Sequence, residues 1–124
     1  MILRRLIPGL LLGALSMPQL AWAHARLVKA TPADGAALSQ APTAVVLAFN
    51  EAPELEFSKV SVVGPENKVL LEQVPLQGGD RNSLKIPLPP PLAAGTYTVK
   101  YRILSVDGHL VEGKTTFSLT PTSP

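Results

Sequence analysis

Residues 96–104 read Thr96-Tyr97-Thr98-Val99-Lys100-Tyr101-Arg102-Ile103-Leu104, and their alternation decides the fold. Tyr97, Val99, Tyr101 and Ile103 fall on one side of an extended chain, and Thr98, Lys100 and Arg102 on the other. A period of two in β-branched and aromatic residues is the mark of a strand with one buried face. Residues 110–119 follow after a short break, with Thr115, Phe117 and Leu119 sharing a face. Upstream, strands are expected at 26–30, at 43–49 with Val45, Leu47 and Phe49 on one side, at 58–63 before Gly64-Pro65, at 68–74, and at 83–88 with Leu84, Ile86 and Leu88 alternating. Thr31-Pro32-Ala33-Asp34-Gly35 is a turn, and Pro89-Pro90-Pro91 is a loop feeding the long strand. Thirteen prolines oppose long helices. Seven short strands with turn signals between them predict an all-β domain, a seven-stranded Greek-key barrel or sandwich. Residues 36–42 and 50–57 are expected to be irregular, each with room for a short helical turn. Residues 121–124 are expected to form a frayed tail.

The chain opens with Arg4 and Arg5, an apolar run over 6–15, and the small-x-small tripeptide Ala21-Trp22-Ala23. Those parts in that order predict a secretory signal peptide over residues 1–23, cleaved after Ala23, and export of the mature chain. The apolar run is shorter than the roughly 20 residues a spanning helix needs; an uncleaved anchor is the alternative. Residues 24–124 then form one domain. Removing Arg4 and Arg5 from the 11 Lys/Arg leaves nine, against nine Asp/Glu, so the mature chain is neutral and carries no basic signature for nucleic acid. There is no cysteine, which excludes blue-copper, iron–sulfur and most structural zinc centres. The only histidines are His24 and His109.

Cleavage after Ala23 would place a free α-amine and an imidazole on one residue, His24, able to chelate one metal. The amine of a chain end titrates near pH 8, so a metal would displace its proton. Against this, a mature chain has to start with some residue, and the histidine can be fortuitous. Asp107-Gly108-His109 lies between the two clearest strands. In an extended segment Asp107 and His109 would point the same way; the alternative is an ordinary Asp-Gly hairpin turn. Two imidazoles, an amine and a carboxylate form a nitrogen-rich set that suits tetragonal Cu(II), with zinc and nickel as competitors.

The order of these pieces resembles the CopC family of periplasmic copper-resistance proteins. The resemblance rests on His24 followed by Leu27-Val28 and Thr31-Pro32-Ala33-Asp34-Gly35, and on Phe49-Asn50-Glu51, similar to that family's Phe-Ser-Glu. It rests also on Ala94-Gly95-Thr96-Tyr97, Tyr101-Arg102, Ser105-Val106-Asp107-Gly108-His109, Gly113 and Phe117. It implies a seven-stranded Greek-key β-barrel and one Cu(II) per chain, held by the His24 amine and imidazole, Asp107 and His109. In some members a glutamate matching Glu51 lies at or near the copper; here Glu51 reads equally as a surface carboxylate beside Glu54 and Glu56. Some members carry a methionine-rich loop for Cu(I). The only methionines here are Met1 and Met17, both in the expected leader, so no Cu(I) methionine site is expected. Tyr101 stands where the family often has Trp and reads as a core substitution.

The reading is a monomeric copper carrier or buffer in copper homeostasis or resistance, with an inner-membrane importer implied as partner by the resemblance. It is not an enzyme, because both histidines are used in the site and no nucleophile–base pair is visible. Two alternatives stand beside it. One is a copper oxidoreductase with a histidine-brace site, disfavoured because the five aromatics after residue 23 mostly occupy core-facing positions. The other is a metal-free sandwich serving as an interaction module.

Overall fold

A computed structural model describes residues 25–120. It contains nine strands: β1 (Leu27–Thr31), β2 (Ala36–Leu38), β3 (Ala44–Phe49), β4 (Pro53–Val63), β5 (Val69–Gln73), β6 (Leu76–Gln77), β7 (Ser83–Pro87), β8 (Gly95–Ser105) and β9 (Leu110–Leu119). The seven expected strands are all present. Two short ones, β2 and β6, join them at sheet margins, and part of the expected irregular stretch 50–57 becomes the start of β4. The only helical piece among the described residues is a single 3-10 turn at Pro65–Asn67.

The strands form two sheets, ordered β1-β3-β7-β6 and β2-β9-β8-β4-β5. All neighbouring pairs are antiparallel except β2 with β9, which run parallel. The alternation read from the sequence becomes the core. Val45, Leu47, Phe49, Leu84 and Ile86 from the first sheet meet Val60, Val62, Tyr97, Val99, Ile103, Phe117 and Leu119 from the second, each at most 3% exposed. Burial of those faces supplies the main stabilising force. Tyr97 stacks on Phe117, its cross-strand partner, with centroids 5.1 Å apart. Its hydroxyl, carried into the core margin, donates to the Ala93 carbonyl.

The first turn ties the two sheets together. After β1 the chain crosses at Thr31–Gly35. Gly35 N–H donates to the Thr116 carbonyl at 2.7 Å, and the Asp34 carboxylate accepts from Thr116 N–H at 2.9 Å. One sheet's edge strand thus continues into the other sheet's edge, which closes that side of the sandwich.

Strand β4 departs from regular pairing near the site. Glu54 pairs with Leu104 and Lys59 with Arg102, so β4 takes five residue steps where β8 takes two. The buried Ser58 hydroxyl spans the gap, donating to the Glu54 carbonyl at 2.7 Å and accepting from Leu104 N–H at 3.1 Å. The excursion turns Phe57 out into solvent, at 64% exposure, so this one aromatic does not serve the core.

Candidate metal centre

The β8–β9 hairpin ends in the segment Ser105–His109. Gly108 N–H donates to the Ser105 carbonyl, and Ser105 N–H to the His109 carbonyl, both at 2.9 Å. Gly108 has φ +89, the left-handed region that glycine enters without steric cost. Asp107 and His109 therefore sit on a tight turn, not in an extended segment. They face one another because the chain reverses at Gly108, and the expected strand-like projection of residues i and i+2 is replaced by a turn that gives the same convergence.

The Asp107 carboxylate is held at one oxygen. Its Oδ1 accepts from the Ser105 hydroxyl and from the His109 backbone N–H at 3.1 Å, and it lies 3.1 Å from His109 Nδ1. Hydrogen bonds to the charged form favour it. The Ser105 hydroxyl first, and the His109 contacts after it, hold the carboxyl down at about 2. A carboxylate beside an imidazole is a chemically competent pair of donors. The pair is accessible: the Asp107 side chain is 28% exposed and that of His109 51%. Ser105 is 1% exposed and belongs to the core end of β8. Its hydroxyl was part of the quoted motif, yet no role could be assigned to it before the fold placed it under the carboxylate.

Glu51 stands at the corner where the chain leaves one sheet and enters the other. Before it, Asn50 N–H donates to the Arg26 carbonyl at 3.0 Å, and the Asn50 side-chain oxygen accepts from Arg26 N–H at 2.6 Å. After it, Pro53 pairs with Ser105, two residues short of Asp107. The corner 50–53 is flanked by the first described residues on one side and by the Asp-Gly-His turn on the other. Ala25 is 2% exposed and packs in the core cluster, so the chain is anchored there before β1 begins.

One carboxylate oxygen at this corner, Glu51 Oε1, is buried and has no hydrogen-bond partner among the described residues. A buried acceptor without a donor costs stability unless something electropositive reaches it. An orphaned carboxylate oxygen is chemically suited to a cation. The side chains nevertheless do not yet form a complete site. No group of three or more His, Cys, Asp or Glu able to hold a metal occurs among the described residues. Asp107 and His109 are brought together, Glu51 is not gathered with them, and His24 lies outside the described residues.

Residues 27–120 match the family model of the CopC domain. The chain is 40% identical over 100 residues to Protein YobA of Escherichia coli K12, covering 79% of this chain and 80% of that protein. It is 36% identical over 106 residues to copper resistance protein C of Pseudomonas syringae pv. tomato, covering 81% and 83%. The crystal structure of CopC from Methylosinus trichosporium OB3b aligns with a TM-score of 0.74 at 35% identity, over 82% of this chain and 98% of that one.

Proposed function

The chain belongs to the CopC family, and on that premise we propose that it is a periplasmic copper-binding protein, a carrier or buffer and not an enzyme. It takes one Cu(II), held by the amine and imidazole of His24 at the mature N-terminus together with the Asp107 carboxylate and the His109 imidazole. Glu51 or a water completes the coordination. The observation that carries this reading is the corner at Asn50–Pro53. It has the first described residues bonded on one side, the Asp107–His109 turn at the end of the paired strand on the other, and in its own chain a buried Glu51 oxygen with no partner among the described residues. The naming of a relative at 36% identity as a copper resistance protein supports the choice of metal. Nitrogen-rich ligation supports Cu(II) over harder cations.

The chain's own residues divide the work. Asp107 offers a carboxylate whose charged form Ser105 and His109 stabilise. His109 is placed by the turn beside it. The His24 amine exists as a ligand only after removal of residues 1–23, so the leader peptide keeps the precursor from completing the site. Residues 25–120 contain no methionine and thus no thioether donor for Cu(I). Delivery to an inner-membrane importer, by a monomeric carrier, is the remaining part of the proposal.

The test is stoichiometric titration of the processed protein with Cu(II), followed by electron paramagnetic resonance. One ion per chain with nitrogen hyperfine structure is expected, lost in His109→Ala and strongly weakened when extra residues precede His24. Equal affinity for the N-terminally extended and processed forms refutes the amine's role.

A further inference from the structure

The outer face of the five-stranded sheet carries two adjoining features. The first is a cationic groove of about 530 Å³. Four of the nine Lys/Arg after residue 23 line it, Lys59, Lys100, Arg102 and Lys114, with two of the nine Asp/Glu, Glu72 and Glu112. Register puts these cations in conflict. Lys100 lies directly opposite Lys114, and Lys59 directly opposite Arg102. Like charges set across from one another destabilise a sheet. Arg102 is relieved by Glu112 at 3.4 Å, whereas the three lysines have no ion pair among the described residues. The second feature is a groove of about 540 Å³ that shares Lys59 and Arg102 with the first. The β4 excursion sends Phe57 to its lining, where Val74 and Leu110 join it, at 64%, 51% and 51% exposure. Half-buried Leu104 lines it too, and Glu56 is its one acid.

We propose that this face docks the protein on an anionic phospholipid surface. Phe57, Val74 and Leu110 enter the headgroup boundary, where apolar side chains gain by leaving water, and Lys59, Lys100 and Lys114 meet lipid phosphates. The phosphates supply the counter-charge that the sheet itself withholds from the lysines. Composition favours lipid over a protein partner. The cores of protein interfaces concentrate Tyr, Trp and Arg and are depleted of Lys. This face has three lysines, an arginine already paired, and Phe57 as its one exposed aromatic. The proposal goes beyond the copper reading and needs no metal. Gly108 also lines the apolar groove, so a bilayer there meets the end of the molecule that carries the Asp107–His109 turn.

The test is flotation of metal-free protein beginning at residue 24, so that no leader residue contributes. The vesicles are phosphatidylcholine alone or equal parts of phosphatidylcholine and phosphatidylglycerol. Binding is expected only with phosphatidylglycerol and should be lost in high salt. Each cation near an anionic bilayer raises partitioning about fivefold, so Lys59→Gln/Lys100→Gln/Lys114→Gln should weaken binding about a hundredfold. Its stability to urea should be kept or raised, since the Lys100–Lys114 repulsion is gone. Phe57→Ala should weaken binding about tenfold. Lys29→Gln/Arg81→Gln/Lys85→Gln removes the same charge on and beside the other sheet and should bind nearly as wild type. The only tryptophan is Trp22, so Phe57→Trp supplies a single fluorophore whose emission should shift to the blue on phosphatidylglycerol vesicles. No flotation, equal loss in the two triple variants, or an unshifted emission from bound Phe57→Trp protein would each overturn the proposal. So would capture by polyglutamate through the same three lysines with no vesicle binding, which would assign the face to an acidic protein.

Discussion

Replacing Gly113 with alanine should destabilise the domain by forcing the Tyr101 ring out of its seat. Gly113 is the cross-strand partner of Tyr101 in the β8–β9 hairpin. A Cβ built there falls on the Tyr101 hydroxyl, and 2.5 Å and 2.9 Å from Cζ and Cε2 of the same ring. Carbon atoms rest at about 3.5–4.0 Å, so the ring has to move by roughly an ångström. It cannot simply swing aside, because it packs edge-on against Phe49 with centroids 5.4 Å apart and an interplanar angle of 78°. Phe49 is 3% exposed. Overpacking of this kind costs about 1–3 kcal/mol. Alanine returns up to about 1 kcal/mol by restricting the unfolded chain relative to glycine. The net expectation is a loss of about 1–2 kcal/mol in urea unfolding, with the m-value unchanged. The cause is identified by a double-mutant cycle with Tyr101→Leu, which removes the ring atoms the new methyl would meet. In that background Gly113→Ala should cost nothing or stabilise slightly. An equal cost in both backgrounds, or a stabilised single variant, would refute the steric argument.

Two further outcomes follow from the site and its surroundings. Ser105→Ala should raise the Asp107 carboxyl from about 2 towards its ordinary 3.8, read by carbon-13 NMR titration of the metal-free protein, since the Ser105 hydroxyl is the largest cause of its depression; an unmoved midpoint would contradict this. The sign matters for stability: a carboxyl depressed in the folded state contributes fully above about 3.8 and loses its contribution as pH falls through about 2, so the wild-type protein gains nothing from this group's titration between neutrality and pH 5. Ser58→Ala should cost about 1–3 kcal/mol, because the Leu104 amide and the Glu54 carbonyl both lose their partner. Faster hydrogen exchange at Leu104 in that variant would be the local signature, and unchanged exchange there would show the hydroxyl to be dispensable.

Much of the fold was legible because its strands are amphipathic and short. Tyr97, Val99 and Ile103, Val45 and Leu47, Leu84 and Ile86, and Phe117 and Leu119 all bury as their alternation required. What escaped was whatever the alternation does not encode. β2 is held by parallel pairing to β9 at the sequence-distant positions Phe117 to Leu119, and nothing within Ala36–Leu38 announces that partner. The β4 excursion was likewise hidden, because Ser58 becomes a bridge only when Leu104 arrives from 46 residues away. At the site, Asp107 and His109 were visible as a pair, with an extended segment and an Asp-Gly turn as the two geometries the sequence left open. The turn at Gly108 brings them together, and the expected extended geometry does not occur. Tyr101 was read as a core substitution, and its ring does lie inward, filling the space that Gly113 leaves open.

By itself the sequence determined the fold class and the donor inventory: strands from a period-two pattern, no cysteine for a disulfide, and two histidines with an aspartate as the nitrogen-and-oxygen candidates. Those follow from residue chemistry and nearest-neighbour spacing, which a linear chain displays in full. Only the tertiary structure decided which corner of the sandwich sits between the start of the domain and the late turn. Only it showed that Ser105 holds Asp107, that Asn50 grips Arg26, and that a Glu51 oxygen is buried without a partner among the described residues. Each of those depends on the register between strands far apart in the chain, and register is set by collective packing of two faces rather than by any one segment.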